Sequence, residues 1–290
     1  MKKDFEIDVK VDRVTISGDF ELDSMALKDK INANSENWLY VSEQEYKLVR
    51  VLENGVFEHV AGLYKNPYRN SWRLDTSNHL EGEELNEIKS VIGLMKDAHF
   101  TRLDIAFTWC NSPYRNMAHR IYRFGASQSF FRSEDLVITG RAQQVETIYS
   151  GRRKSEQMIR YYDKLAEMRS RRKQLPEGVE QLERLEIQLR GSKTAEWISS
   201  CEKMLECFKL PKFGNVDNPQ DRAMLLALEN KIVSWNELAK ATAAKFRKLI
   251  KENDGLDNSL SKLLLEKLEE KKNDISLEII DFLNIVGIEK

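Results

Sequence analysis

Short segments in which apolar and polar residues alternate recur through the first 190 residues, and they constrain the fold more than any other feature. Successive side chains of a β-strand point to opposite faces of a sheet, so this alternation predicts strands with one buried face. In the clearest segment, 5–20, the apolar residues are Phe5, Ile7, Val9 and Val11, then Val14 and Ile16. Further strands are predicted at 38–51, 55–63, 72–76, 100–107, 158–163 and 182–189, and short strands or loops at 130–131, 135–139 and 146–150.

Apolar residues at helical spacing dominate the remainder of the chain. They predict helices between the strands at 23–31, 81–97, 113–122 and 164–173, and beyond them at 194–208, 220–229, 234–252, 259–270 and 274–285. The change from mixed strands to nearly pure helix falls at about residue 191. We therefore expect an α+β protein with a largely antiparallel central sheet and packed helices. The expected domains are a sheet-based domain over 1–191 and a helical region over 192–290 that ends in an acidic helical tail.

Composition excludes several classes of protein. The chain has 290 residues, of which 41% are hydrophobic, and this is enough for a sizeable core. No apolar run approaches the roughly 20 residues of a membrane span, and no GxxxxGK(S/T) sequence indicates an ATPase. The four histidines are scattered and the three cysteines lack metal-binding spacing, which disfavours a histidine-ligated metal site. We expect a cytoplasmic protein with reduced thiols and no membrane partner.

Charge is unevenly distributed, although the net charge is only -1. Residues 101–173 contain 15 Lys and Arg against 7 Asp and Glu, and residues 231–251 contain 6 against 1. Two basic segments in an otherwise acidic chain indicate a localised site for a polyanion. A pair of solvated helix faces is the alternative interpretation, because segment charge is a soft signal.

Three of the predicted strands share one pattern: an arginine, a leucine and an acid. They are Arg73-Leu74-Asp75, Arg102-Leu103-Asp104 and Arg184-Leu185-Glu186. Within each strand the arginine and the acid lie on the same face. Carboxylates gathered on one face attract hard divalent cations, so Asp75, Asp104 and Glu186 are candidate ligands of Mg²⁺ or Mn²⁺ that would stabilise charge on a phosphate. The alternative is that each arginine forms a buried ion pair with an acid.

A doubled tyrosine follows a basic triplet in the stretch 147–167, TIYSGRRKSEQMIRYYDKLAE. Tyrosine suits a reaction in which the electrophile is a phosphodiester and the covalent link must persist. Alternation along this strand places Tyr162 on the same face as Arg160, and Tyr161 on the other. This pattern predicts Tyr162 as the nucleophile and Arg160 as a phosphate contact. The predicted DNA contacts nearby are Arg152, Arg153, Lys154 and Lys164.

The second basic segment, 234–252, is predicted to form one helix with Trp235 and Leu238 on its apolar stripe. Its basic residues fall outside this stripe and are candidate DNA contacts: Lys240, Lys245, Arg247 and Lys248. A basic, alanine-rich helix that follows another helix is compatible with docking in the major groove. An amphipathic bundle helix whose lysines reach the solvent fits the segment equally well.

At four stretches the sequence resembles the Rep_trans group, the rolling-circle replication initiators of plasmids from Gram-positive bacteria. The stretches are FTRLDIAF (100–107), ETIYSGRRKSEQMIRYYDKLAE (146–167), RLEIQLR (184–190) and DRAMLLALENKIVSWNELAKATAAKFRKLIKE (221–252). They follow the order found in the family, and the resemblance covers roughly residues 1–255. The stretch 146–167 is the specific one.

The resemblance implies a metal-dependent, site-specific DNA strand endonuclease and ligase. In the family, the tyrosine before Asn/Asp-Lys attacks one phosphodiester at the double-strand origin, keeps the 5′ phosphate as a phosphotyrosine ester and leaves a 3′-OH primer. This position is Tyr162, and the family's acidic ligands fall on Asp104 and Glu186. The resemblance further implies double- and single-stranded plasmid origin DNA, a second copy of the chain in a homodimer, and a host DNA helicase as partners. Origin recognition would lie around 235–251.

The sequence departs from the family pattern at two positions. Thr108 and Gln188 stand where the family often has a further acid, so the metal ligands are expected to differ. Two other functions remain open. A relaxase of a conjugative element would use the same chemistry, and a DNA-binding regulator would carry an inactive catalytic fold.

Overall fold

A computed structural model describes most of the chain and shows the expected α+β architecture. The described residues are 4–35, 37–51, 55–69, 71–77, 80, 82–112, 136–141, 144–152, 154–206, 210–211, 216–229, 232–252, 256–257 and 259–283. Arg153 and the elements predicted at 113–122 and 130–131 lie outside these ranges. None of the described helices is long and apolar enough to cross a membrane.

Ten of the described strands form one sheet in which all neighbours are antiparallel. They are β1 (Glu6–Asp19), β2 (Trp38–Ser42), β3 (Glu45–Val51), β4 (Phe57–Lys65), β5 (Trp72–Thr76), β6 (Lys96–Cys110), β7 (Leu136–Arg141), β8 (Gln144–Ser150), β9 (Gln157–Asp163) and β10 (Leu182–Arg190). Their order is β2-β3-β4-β5-β1-β6-β10-β9-β8-β7. The strands β1, β6, β10 and β9, which carry most of the predicted site, are therefore consecutive neighbours. A two-stranded pair, β11 (Leu210–Pro211) and β12 (Leu256–Asp257), lies apart from this sheet.

One face of the large sheet packs against helices and forms the main core. The described helices are α1 (Ser24–Asn34), α2 (Glu83–Ile92), α3 (Lys164–Ser170), α4 (Trp197–Leu205), α5 (Pro219–Glu229), α6 (Lys240–Glu252) and α7 (Ser259–Leu283). Alternate residues of the central strands, such as Ile105 and Ile187, are fully buried in this core together with residues of α1, α2, α4 and α7. Helices α5 and α6 instead share a smaller cluster that includes Leu225 and Phe246.

The acidic C-terminal segment is one helix of 25 residues, not the two helices predicted from its sequence. Its apolar side is buried in the main core at Leu264, Leu268, Ile275 and Phe282. The division of the chain into domains at residue 191 stays a prediction.

Two other predicted elements are interrupted by polar turn residues. The segment 38–51 forms a hairpin of β2 and β3, in which the backbone N–H of Gln44 bonds to the Ser42 hydroxyl at 3.2 Å. The helix predicted from residue 234 begins only at Lys240. Ser234 and Glu237 form a reciprocal capping box around a 3-10 turn. Their side chains accept hydrogen bonds from the backbone N–H groups at the start of this turn, and the α-helix begins only after it.

A β-bulge in β1 carries Asp12. In the pairing with β6, Val11 lies opposite Ile105 and Arg13 lies opposite Asp104, so Asp12 has no partner residue. An extra residue shifts the alternation of a strand by one position. Ile7 and Val9 therefore face the core before the bulge, whereas Val14 and Ile16 do so after it.

Candidate active site

The face of the sheet opposite the main core brings the predicted catalytic residues together. Across β10 and β9, Arg184 lies opposite Tyr162 and Glu186 lies opposite Arg160. Across β10 and β6, Gln188 lies opposite Asp104. Side chains of laterally paired residues share a face, so three consecutive strands contribute to one group of polar residues.

Tyr162 has its hydroxyl directed at a carboxylate. It is only 2% exposed, and its hydroxyl donates a hydrogen bond of 2.6 Å to Oε1 of Glu186. The second oxygen of Glu186 accepts a bond of 3.2 Å from Nη1 of Arg160, whose guanidinium lies 4.1 Å from the centroid of the Tyr162 ring. Burial, followed by the charge of Glu186, raises the pKa of Tyr162. At neutral pH the phenol is therefore protonated, and its proton already points to a group that can accept it.

Tyr161 occupies the opposite face and belongs to the core. Its ring stacks on Trp109 with the centroids 5.7 Å apart. Its hydroxyl donates a bond of 2.7 Å to Glu183, which also accepts a bond of 2.8 Å from the Trp109 indole N–H. Burial raises the pKa of Tyr161 as well. Glu183, for which no role is predicted from the sequence, accepts the hydrogen bonds of these two buried donors.

Two of the three Arg-Leu-acid triplets form internal ion pairs. Arg102 donates two bonds, of 2.8 and 2.5 Å, to the two oxygens of Asp104. In the outer triplet, Arg73 pairs with Asp75 at 2.9 Å, and the hydroxyl of Thr15 donates to the other oxygen of Asp75 at 2.6 Å. For these two triplets the structure has the ion pairs of the alternative interpretation.

The third triplet is different, because Arg184 does not pair with Glu186. Its Nη1 donates to Oδ1 of Asp12 at 2.8 Å, and its Nε donates to the Thr108 hydroxyl at 3.0 Å. The side chains of Arg184 and Asp12 are only 4% and 1% exposed. Burial, followed by the nearby charge of Glu186, raises the pKa of Asp12 to about 6, while Arg184 opposes the shift.

Asp12 was not predicted as a site residue, although the sequence contains a signal for it. The apolar positions of β1 change from odd to even numbers between Val11 and Val14. Such a change of phase indicates a bulge, and bulges often redirect side chains next to active sites. Thr108 was noted only as a departure from the family pattern, and it proves to hold Arg184.

The carboxylate oxygens on this face are occupied by hydrogen-bond donors. Both oxygens of Asp104 are held by Arg102, and those of Glu186 are held by Tyr162 and Arg160. Asp75 is likewise held by its own arginine. Among the described residues, no group of three or more His, Cys, Asp or Glu side chains is placed to hold a metal ion. A cation of this kind needs free carboxylate oxygens, so it would have to displace these donors.

Basic side chains outnumber acids around Tyr162 and Asp104. The acids are Asp12, Asp75, Asp104, Glu167 and Glu186, and the basic residues are Arg13, Arg73, Arg102, Arg160, Lys164, Arg184 and Arg190. Lys164 is buried, its ammonium bonds to Glu167 at 2.6 Å, and it lies 5.7 Å from the centroid of the Tyr162 ring. The surplus of positive charge favours an anionic ligand on this face.

The other predicted DNA contacts lie on the surface where they are described. Arg152 and Lys154 are exposed in the turn before β9. On α6, all four predicted basic residues are exposed: Lys240, Lys245, Arg247 and Lys248. Lys245 pairs with Asp221 of α5 at 2.7 Å, and the Arg247 guanidinium lies 5.1 Å from the centroid of the Trp235 ring.

Comparisons with known proteins place the chain among replication proteins. No family model matches the chain. Two proteins of Staphylococcus aureus, each named replication initiation protein, are 30% identical to it over 205 and 198 residues, which is 70% and 67% of this chain. The chain spans about 60% of the length of these curated relatives.

The solved structure of a rolling circle replication initiator protein from Geobacillus stearothermophilus shows only weak similarity to the chain. It has 14% sequence identity and a TM-score of 0.38, with 68% of this chain and 78% of that chain covered. A shared fold does not follow at this level of similarity, whereas the Staphylococcus aureus relatives match most of the chain in sequence. The chain belongs to the family of replication initiation proteins that these relatives represent.

Proposed function

We propose that the chain initiates rolling-circle replication of a plasmid by nicking and rejoining one DNA strand at the origin through Tyr162. The proposal rests on one contact, the 2.6 Å hydrogen bond from the Tyr162 hydroxyl to Glu186. This contact joins a nucleophile to a proton acceptor beside a surplus of cations. Membership of the replication initiation family supports a role in initiation, and the stretch 146–167 supports the rolling-circle mode.

The proposed chemical step is an in-line displacement at one phosphodiester. The Tyr162 oxygen forms a bond to phosphorus and the bond from phosphorus to the 3′ oxygen breaks. The phenolic proton passes to Glu186, and the departing 3′ oxygen takes up a proton from solvent. The products are a 5′-phosphotyrosine ester and a free 3′-OH. The reverse reaction rejoins the strand, because the ester conserves the energy of the phosphodiester.

The arginines and lysine around Tyr162 would bind the phosphate. Arg160 lies over the ring and Lys164 lies near it, so the buried hydroxyl becomes accessible only when side chains covering it move. A phosphate that enters can accept the Nη1 donor of Arg160 that now bonds to Glu186. Guanidinium groups bind phosphate oxygens strongly in such dehydrated sites and stabilise the charge that develops there.

The test of this function is the identity of the residue that becomes linked to DNA. The protein is incubated with a supercoiled plasmid carrying its native replicon, and the covalent complex is digested with nuclease and protease. Mass spectrometry is expected to find a nucleotide on Tyr162. A nucleotide on another residue would contradict the assignment. Binding without any covalent complex would favour the inactive regulator.

Mg²⁺ or Mn²⁺ is proposed as a cofactor on the basis of the two neighbouring acids, Asp104 and Glu186, and of the family resemblance. Because arginines now hold these acids, the cation would compete with Arg102 and Arg160. We expect EDTA to abolish nicking, added Mg²⁺ or Mn²⁺ to restore it, and Asp104→Ala to lose the metal-dependent activity with DNA affinity nearly intact. The measurement is nicking of the plasmid in parallel with DNA binding. Nicking that persists in EDTA would contradict the metal.

The exposed basic face of α6 is proposed to bind origin DNA. Each cation that neutralises a phosphate releases counterions, so the affinity falls steeply with salt. Replacing Lys245, Arg247 and Lys248 by glutamine is expected to weaken binding and to reduce the salt slope by up to about three charges. The measurement is the affinity for native replicon DNA over a series of salt concentrations.

A matched control removes three charges from α7 instead. Lys267, Lys271 and Lys272 each pair with an acid three residues away on that helix. Their replacement by glutamine makes the same change in net charge and is expected to leave the slope nearly unchanged. Equal slopes for both triple variants and the wild type would mean that α6 is a structural helix of its bundle.

The proposed partners are plasmid origin DNA, a second copy of the chain and a host helicase. They follow from the family resemblance. A plasmid initiator and a conjugative relaxase share the chemistry, and their target DNA and transfer partners distinguish them. Mass measurement in solution, with and without origin DNA, tests the dimer. Transfer of a plasmid between cells tests the relaxase.

A further inference from the structure

We propose that Asp12 is a positioning residue for the nucleophile: it holds Arg184 beside Tyr162 and keeps it away from Glu186. The inference deepens the proposed function and rests on it. Asp12 makes no described hydrogen bond to Tyr162 or Glu186, although its charge lies near that of Glu186, and its hydrogen-bonded connection to the nucleophile runs through Arg184.

The bulge in β1 is what brings Asp12 to this face. Arg13 is paired with Asp104 and Val11 with Ile105, and the additional residue between them projects its carboxylate toward Arg184, two strands away. In a regular strand the alternation would continue without a break, and the core residues Val14 and Ile16 would turn outward. The bulge therefore keeps the apolar side chains before and after it in the core, and it adds one acid to the opposite face.

Arg184 needs such a partner because a nearer acid competes for it. In the other two triplets the arginine binds the acid two positions further along its own strand, as Arg102 binds Asp104. The corresponding acid for Arg184 is Glu186. Asp12 and Thr108 together take Nη1 and Nε of Arg184, and Glu186 is left to accept the Tyr162 hydroxyl and Arg160.

Arg184 also supports the nucleophile directly through its charge. It lies opposite Tyr162 in the register of β9 and β10. Its positive charge lowers the pKa of Tyr162 and so acts against the larger effects of burial and of Glu186. A fixed cation on the neighbouring strand stabilises the negative charge that develops when the tyrosine loses its proton, without reorganisation.

Side chains also hold the bulge at the edge of β1 that faces β5. Strand β5 pairs with β1 only from Thr15 to Gly18, so the backbone before Thr15 lacks a strand partner there. The hydroxyl of Thr76 accepts a bond from the Val14 N–H at 3.0 Å, and the carboxylate of Glu278 on α7 lies near the Val11 backbone. Side chains thus replace the missing strand on both sides of Asp12 and fix its position.

The test compares four proteins in a single-turnover reaction at saturating DNA: wild type, Asp12→Asn, Arg184→Gln and the double variant. Asp12→Asn is expected to slow formation of the covalent complex about 10- to 100-fold, as loss of a supporting residue around a reacting group does. Its affinity for the same DNA is expected to change less than about twofold. The double variant should be no slower than Arg184→Gln alone, because Asp12 acts through that residue.

The control is Asp8→Asn, which removes an exposed carboxylate from the same strand and should react at the wild-type rate. If Asp12→Asn does not fold, as judged by thermal melting, Thr108→Val removes the other holder of Arg184 and should slow the reaction with binding retained. A wild-type rate in the folded Asp12→Asn variant would overturn the inference. So would a double variant in which the rate decreases of the two single variants multiply. A wild-type protein that forms no covalent complex would instead remove the proposed function itself.

Discussion

Tyr162→Phe is expected to abolish nicking and covalent attachment while DNA binding persists. The substitution removes the attacking oxygen and keeps the ring, which lies against Arg160. Loss of a nucleophile removes nearly all of the chemical rate, so a decrease of at least about 10⁴-fold is expected. Stability should change little, by about 1 kcal/mol, because one hydrogen bond is lost. The measurements are nicking of the supercoiled plasmid and binding of the same DNA.

Tyr161→Phe is the matched control for this variant. It deletes a hydroxyl from the adjacent residue, whose ring is equally buried on the core face. This variant should still nick. Its thermal stability should decrease, because Glu183 loses one of its two hydrogen-bond donors. Nicking by Tyr162→Phe together with loss of nicking by Tyr161→Phe would reverse the assignment of the nucleophile.

Glu186→Gln is expected to have the second-largest effect, a decrease of about 10²- to 10⁴-fold in the rate of covalent attachment. Glutamine has the same shape and its carbonyl can still accept the Tyr162 hydrogen bond, but it cannot take up the phenolic proton. Because solvent must then remove that proton, the rate of the variant should rise with pH over a range in which the wild-type rate is level. The measurement is the single-turnover rate at saturating DNA against pH.

Glu183→Gln provides the comparison on the same strand. Glu183 also accepts a tyrosine hydroxyl, but on the core face, from Tyr161. Its replacement should leave nicking near the wild-type rate. If Glu183→Gln and Glu186→Gln slow the reaction equally, the loss comes from the stability of β10 and not from proton transfer.

The faces of the central strands were predictable from the sequence, because the alternation of side chains along a strand is a local property of the backbone. It placed Tyr162 with Arg160 and put Tyr161 on the other side. It also placed the arginine and the acid of each triplet on the same face of the sheet. The structure has these arrangements in β9, β6 and β10. The α+β class followed from the same patterns and is confirmed.

Helix boundaries and continuity were less predictable, because they depend on side chains that compete for a few backbone groups. The capping box at Ser234 and Glu237 delays α6 by a full turn and more. The long α7 passes without a break through Lys272 and Asn273, where its polar sequence suggested an end. Packing of its apolar side on the sheet supplies the stability that local propensity lacks.

Local patterns in the sequence predict the candidate reactive residues, Tyr162 with its arginine and the acids of the triplets. Which acid pairs with which base follows from the fold. Arg184 and Asp12 are 172 residues apart along the chain, and no local pattern links them. Their contact depends on the order of β1, β6 and β10 in the sheet. It also depends on the bulge in β1, which places the Asp12 carboxylate on the same face as Arg184. A buried charge needs a counterion close to it. In this protein the sheet places Asp12 beside Arg184, and Glu186 is left to accept the Tyr162 hydrogen bond.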